Sequence, residues 1–290
     1  MTHSTKDSSA ITSSTITNST TKIAPIIFLP HGAGPLPLLG NKDYGNEHLV
    51  PFLKSISQLT AEPSAILIIS AHWEAQQASL TSGKQPHIMF DYGGFPDEAY
   101  HLQYPVSGQP ALAQEIYQLI KKSGMEVQLE PKRGFDHGVY VPLKLIYPEA
   151  HIPCIQLSLI KGLKPDEHIA LGKILAGLRQ KNVLIIGSGM SFHNLRLFFR
   201  PEQESYQKSK AFDLWLIDTC TNASLSIEEK EHRLIAWKKA PYAEYCHPRE
   251  EHLLPLHVCF GAASKDTPTA SVIFNEVFMG VVISGFIWNT

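Results

Sequence analysis

"ILIISAHWEAQ", residues 66–76, runs from four apolar residues directly into Ser70, His72, Trp73 and Glu74. An apolar run without polar alternation reads as a strand buried on both faces, as in a parallel sheet covered by helices. The strand is expected to end at Ser70, leaving the polar cluster just beyond it. The same pattern occurs elsewhere. "APIIFLP" (24–30) leads into His31-Gly32, and "NVLIIGS" (182–188) leads into "GMSFHN". Further strands are expected in "IPCIQLSL" (152–159), "TASVIFNEV" (269–277) and "GVVISGFIW" (280–288).

Between these runs lie amphipathic stretches with apolar residues three and four apart: 47–60, 108–124, 164–180 and 203–222. Strands alternating with helices predict an α/β fold, a single domain with a central, largely parallel mixed sheet flanked by helices. That domain is expected to span 23–290. Residues 1–22 are dominated by Ser and Thr, bury too little to offset their conformational entropy, and read as a disordered tail.

Composition narrows the function. The chain has 290 residues, 43% hydrophobic and only 18% charged, with a formal net charge of −2. This balance gives no footprint for nucleic acid or anionic lipid and favours a small partner. Cys154, Cys220, Cys246 and Cys259 are widely spaced without a C-x-x-C pair, and no apolar run reaches the length of a membrane span. A cytoplasmic protein is expected.

Ligands of open α/β sheets bind at the carboxyl ends of the strands. Here three strands deliver a histidine to that edge: His31, His72 and His193. Any one of 14 histidines is more often a hydrogen-bonded structural residue than a ligand. Three at corresponding positions point to a metal, for which imidazole nitrogen suits zinc and iron.

Two further segments carry histidines. "GFDHGVYVPLKLIYP" (134–148) sets His137 between Asp136 and Gly138 ahead of an apolar stretch. "PREEHLLPLHVCFGAA" (248–263) opens with Pro248 and two glutamates, which predicts a helix N-terminus with His252 in its first turn. "FDYGGFPDEAYHLQYPVSGQP" (90–110) is irregular and aromatic, a candidate wall for an aromatic-substrate pocket through Tyr92, Phe95, Tyr100 and Tyr104, and equally a proline-ordered surface loop.

"HGAGP", "SAHWE", "YGGFPDEAY", "GFDHGVYVPL", "GSGMSFHNLR" and "EEHLLPLHVCFGAA", in this order, resemble the class III extradiol ring-cleavage dioxygenases, and within them the 4,5-DOPA dioxygenase-like branch. The resemblance runs from about residue 24 to the C-terminus. It implies one mononuclear metal per chain, Fe(II) for catalysis and zinc in some members. It further implies metal ligands at His31, His72, His193 and His252, an acid/base role for His137, and a catechol and dioxygen as substrates, opened to a muconic semialdehyde. Tyr92, Phe95 and Tyr104 are expected to contact the substrate. Oligomeric state and the choice between 2,3 and 4,5 cleavage stay open.

Two features complicate the transfer. If Glu251 and His252 are helix neighbours they point about 100° apart, so one of them ligates and the other does not. The first motif usually reads H-G-S-P in the family, whereas this chain has His31-Gly32-Ala33-Gly34-Pro35. Other functions remain: a non-catalytic, Memo-type binding protein on the same fold, or a zinc hydrolase, although no H-E-x-x-H supports the latter.

Overall fold

A computed structural model describes residues 23–40, 45–200 and 202–289; the Ser/Thr-rich segment 1–22 lies outside them. Eight strands form one mixed sheet in the order β4-β3-β5-β2-β6-β1-β8-β7. They are β1 (Ile26–Pro30), β2 (Ala65–Ala75), β3 (Ala78–Thr81), β4 (Val127–Glu130), β5 (Cys154–Ile160), β6 (Val183–Gly189), β7 (Ser271–Phe278) and β8 (Val281–Trp288). The centre, β5-β2-β6-β1, is parallel, and β8 and β7 close one side antiparallel. Every residue of β1, β5, β6 and β8 is buried, which is why these strands read as unbroken apolar runs.

The helices are α1 (Asn46–Leu59), α2 (Pro110–Lys122), α3 (His137–Ile146), α4 (Pro165–Leu175), α5 (Leu195–Phe199), α6 (Ser205–Thr221), α7 (Ile227–Ile235), α8 (Ala243–Cys246) and α9 (Leu254–Ala263). Among the described residues no helix is long and apolar enough to cross a membrane. All ten residues of α9 are buried. It lies directly on β6: a Cβ on Gly187 would stand 2.7 Å from the Pro255 carbonyl oxygen, and one on Gly189 would stand 2.2 Å from that of His252. Successive strand residues point to opposite faces. Ser188 therefore faces the other way, where its hydroxyl donates to the Gly138 carbonyl at 2.5 Å. The motif "GSG" thus seats α9 on one face and the start of α3 on the other.

Two elements differ from the sequence reading. β2 does not stop at Ser70 but runs to Ala75, and between Ile69 and Glu74 its register against β5 breaks. Five residues of β2 advance there against two of β5, from Leu157 to Leu159, so Ser70-Ala71-His72-Trp73 bulge out of the ladder. The helix expected from Pro248 begins only at Leu254, with Pro255 in its first turn. Glu250, Glu251 and His252 lie in a preceding turn closed by Leu253 N–H to the Glu250 carbonyl at 2.9 Å. Helix spacing consequently does not separate Glu251 from His252. The 164–180 segment also divides, α4 giving way to a 3-10 helix over Ala176–Lys181.

Asp213 joins α6 to the β7–β8 hairpin. Its Oδ2 accepts from Asn275 Nδ2 at 2.7 Å and from the Ser284 hydroxyl at 2.9 Å. Burial pushes its carboxyl up to about 6 from an ordinary 3.8. The folded state therefore keeps a proton that the unfolded chain releases, so this group's contribution is full below pH 4 and declines as pH rises through 6. The difference amounts to about 3 kcal/mol. Asp213→Asn is expected to remove that dependence. Urea unfolding at pH 4 and pH 7 should show the wild type losing about 2.4 kcal/mol relative to the variant; parallel losses would disprove it.

Candidate metal centre

The carboxyl ends of β1, β2 and β6 are brought into line by the parallel register, with Pro30 opposite Gly189 and Ser70 opposite Ser188. His31 follows β1, His72 stands on the β2 bulge, His193 lies between β6 and α5, and His252 occupies the turn before α9. These four and His137, the first residue of α3, form one continuous group. His72 is its hub: its Nε2 lies 3.0 Å from His31 Nε2 and 3.3 Å from His252 Nε2. The His137 ring sits 3.8 Å from the His72 ring, centroid to centroid. At the other end His193 stacks parallel on His252 at 3.3 Å.

The far nitrogens of these rings have protein partners, and the partners set the tautomers. Ser188 donates its only hydroxyl proton to the Gly138 carbonyl, so it accepts from His31 Nδ1–H at 3.1 Å. Glu251 Oε1 accepts from His252 Nδ1–H at 3.0 Å and lies 3.3 Å from His193 Nδ1. A neutral imidazole carries one N–H, which leaves lone pairs on His31 Nε2 and His252 Nε2, both aimed at His72 Nε2. His72 has one proton to offer at most, so one lone pair is left without a donor unless a cation lies between them. Ligands about 2.0–2.1 Å from a common metal are about 3–3.4 Å apart, which the observed 3.0 and 3.3 Å separations match. The donor set therefore fits a metal ion.

Electrostatics support that state. Burial, reinforced by neighbouring imidazoles, holds His31, His72 and His252 well below the usual histidine range. All three are neutral at neutral pH, the state in which an imidazole nitrogen can ligate a metal. Burial also works against ionising Glu251, but His193, backbone amides and Arg249 outweigh it and lower its pKa. Arg249 bridges Glu251 Oε2 at 3.4 Å to Glu74 on β2, clamping the His252 turn to the His72 bulge.

Beneath the cluster Asp136 is fully buried, and burial raises its pKa. It accepts from the Ser70 hydroxyl at 2.7 Å, from Gln156 Nε2, and from Arg133 at 3.2 Å. Arg133 in turn lies over the Trp73 ring at 4.4 Å. Gly138 admits no side chain, because a Cβ would approach Ser70 Oγ to 2.4 Å and His72 Cδ2 to 3.1 Å. Asp136 and Gly138 of the "DHG" triplet are thereby accounted for.

On the His137 side stands an aromatic wall. The Tyr92 ring is 5.8 Å from His137 and 5.4 Å from Phe95, and Phe95 packs against Gly34, whose φ of +55° suits glycine. The extra glycine of "HGAGP" is thus the seat for Phe95. Tyr104 is elsewhere. It is 5% exposed, and its hydroxyl donates to the carbonyls of Leu143 and Tyr147. Those residues lie six and ten positions along α3 from His137, roughly 9–15 Å away. The Tyr104 hydroxyl ties the loop to the far end of the helix. On the His193 side, a cavity of about 600 Å³ is lined by His193, Arg196, Glu244, Tyr245, Arg249 and Glu251.

Sequence reasoning did not single out Asp91, Ser188 or the buried role of Asp136. Asp91 Oδ2 accepts from His137 Nδ1 at 2.9 Å, although 46 residues separate the two. Ser188 had one signal, a polar residue inside "LIIGSG", and Asp91 had none beyond its place beside Tyr92.

Residues 25–286 match the family described as the catalytic LigB subunit of aromatic ring-opening dioxygenase. The chain is 35% identical to dioxygenase tasH of Hapsidospora irregularis, covering 92% of this chain and 86% of the relative. It is 36% identical to 4,5-DOPA dioxygenase extradiol of Beta vulgaris, over 91% and 95% of the two chains. The crystal structure of an uncharacterized protein from Escherichia coli K12 superposes with a TM-score of 0.74 at 26% identity, covering 92% of this chain and all of that one. The chain belongs to the LigB family of aromatic ring-opening dioxygenases, oxidoreductases that depend on a metal.

Proposed function

We propose that this protein is an Fe(II)-dependent extradiol dioxygenase that opens a catechol bearing an amino-acid side chain, such as DOPA, to a muconic semialdehyde. The observation that carries the reading is the convergence of His31, His72 and His252 through Nε2 lone pairs whose tautomers are set by Ser188 and Glu251. These three would hold the metal; the His193 ring lies face to face on His252, so it would have to turn to offer a nitrogen to the same ion as the fourth ligand. When bound, Fe(II) supplies the redox chemistry through which dioxygen reacts with the ring; zinc has none.

The remaining steps belong to the chain's own residues. Tyr92 and Phe95 present faces and edges against which an aromatic ring packs. His137 takes a catechol hydroxyl proton on the lone pair of the ring nitrogen not bonded to Asp91. The cavity beside His193 is lined by Arg196, Arg249, Glu244 and Glu251, charges of both signs that would suit a zwitterionic substituent able to exchange with the Arg196–Glu202, Arg249–Glu74 and Arg249–Glu251 pairs. Relatives named 4,5-DOPA dioxygenase extradiol favour the same substrate class.

The test is oxygen uptake after anaerobic Fe(II) loading, with a panel of catechols. Uptake with DOPA and none for the zinc-loaded protein is expected. Metal bound without uptake on any catechol would refute the reading in favour of a binding protein, and ester cleavage without oxygen would favour a hydrolase. His137→Ala should keep its metal and lose roughly 10²- to 10⁴-fold in turnover.

A further inference from the structure

Asp91 lies on the aromatic loop, one residue before Tyr92. Both of its oxygens go to a single residue. Oδ1 accepts from the His137 backbone N–H at 3.0 Å, and Oδ2 accepts from His137 Nδ1–H at 2.9 Å. The local sequence explains why this outside partner is needed. His137 is the first residue of α3, where N–H groups lack intrahelical acceptors. The preceding residue, Asp136, is the natural cap, but its carboxylate is turned into the sheet toward Ser70, Gln156 and Arg133 and makes no capping bond. Asp91 fills that role from the loop.

The ion pairs of Asp91 among the described residues are with histidines, His137 at 2.9 Å and His72 Nδ1 at 3.9 Å. An ionised carboxylate only accepts hydrogen bonds, so a neutral His137 beside it carries its proton on Nδ1 and its lone pair on Nε2. Hydrogen bonds to the backbone and ring of the same residue also define the ring plane. We propose that Asp91 is the positioning residue of the active site, fixing His137 in the Nδ1–H tautomer with Nε2 free to take the substrate proton, and docking the Tyr92–Phe95 wall against it. The catalytic half of this rests on the proposed role of His137; the tautomer half stands apart from it.

Asp91→Asn separates the two. The amide oxygen can still accept from the His137 backbone N–H, but its NH₂ then faces Nδ1 and favours a lone pair there, moving the proton to Nε2. Nitrogen-15 NMR of the diamagnetic, zinc-loaded protein with labelled histidine reads this directly. The wild type should show His137 protonated at Nδ1 and Asp91→Asn should show it protonated at Nε2, with metal content unchanged. In the Fe(II)-loaded enzyme the variant should lose about 100-fold in kcat with little change in KM, as expected when a general base is misprotonated. A wild-type His137 protonated at Nε2, an Asp91→Asn enzyme with wild-type kcat, or loss of metal in the variant would each overturn the proposal. Absence of catechol turnover in the wild type would instead defeat the dioxygenase reading, while the wild-type tautomer still decides whether Asp91 holds the ring.

Discussion

His72→Ala is expected to strip the protein of its metal while leaving it folded. The His72 Nε2 stands within 3.3 Å of two others, those of His31 and His252. Its removal leaves two lone pairs without their common neighbour. Changes to groups that merely orient a metal ligand cost about 10- to 100-fold in affinity, and loss of the hub ligand should exceed that. The loss should appear as metal absent after dialysis, measured by elemental analysis, alongside an unchanged circular dichroism spectrum. A His72→Ala protein that keeps one metal per chain would show that His72 is not a ligand. The fold is expected to survive because the ring sits on a bulge outside the β2–β5 ladder, whose register resumes at Glu74.

Asp136→Ala should be the most destabilising single change at the site. The carboxylate is fully buried and is the salt-bridge partner of Arg133, whose side chain is itself only 20% exposed. Removing one member of a buried pair leaves the other charge uncompensated, which costs about 3–5 kcal/mol. Gln156 Nε2 loses an acceptor and the Ser70 hydroxyl loses its partner, so the effect reaches the β2 bulge that carries His72. Denaturant unfolding should show the midpoint falling accordingly. A second substitution, Arg133→Met, should recover a large part of the loss, because it removes the stranded charge. If Asp136→Ala costs less than about 1 kcal/mol, the pair is not a support of the site.

Both variants act on groups of different visibility in sequence. β1, β2 and β6 are readable because strands buried on both faces become uninterrupted runs such as "IIFLP" and "LIIGS", and histidines just beyond them fall at one edge once the strands are parallel. β3 and β4 are not, since "ASLT" and "VQLE" are four residues long, partly polar, and take their identity from the sheet edge they complete. The bulge at Ser70-Trp73 is invisible because nothing in the local sequence records that β5 advances only two residues there.

The site divides in the same way. The histidines announce themselves by position, whereas the groups that orient them are distant in sequence: Ser188 lies 157 residues from His31 and Asp91 lies 46 from His137. Glu251 and His252 were expected to diverge on a helix. In the turn that precedes α9 they instead bond to each other, which makes Glu251 the acceptor that orients His252. Aromatic composition marks a loop without telling which rings turn inward, and Tyr104 gives its hydroxyl to the carbonyls of Leu143 and Tyr147.

The central claim, that the imidazole cluster supports insertion of dioxygen into a catechol ring, is tested most directly by isotope. Anaerobically Fe(II)-loaded protein is supplied with DOPA and ¹⁸O₂, and the ring-opened product is analysed by mass spectrometry. Label is expected in the new carboxylate of a muconic semialdehyde. A product whose new oxygen comes from water, or intact DOPA in the presence of stoichiometric bound iron, would contradict it.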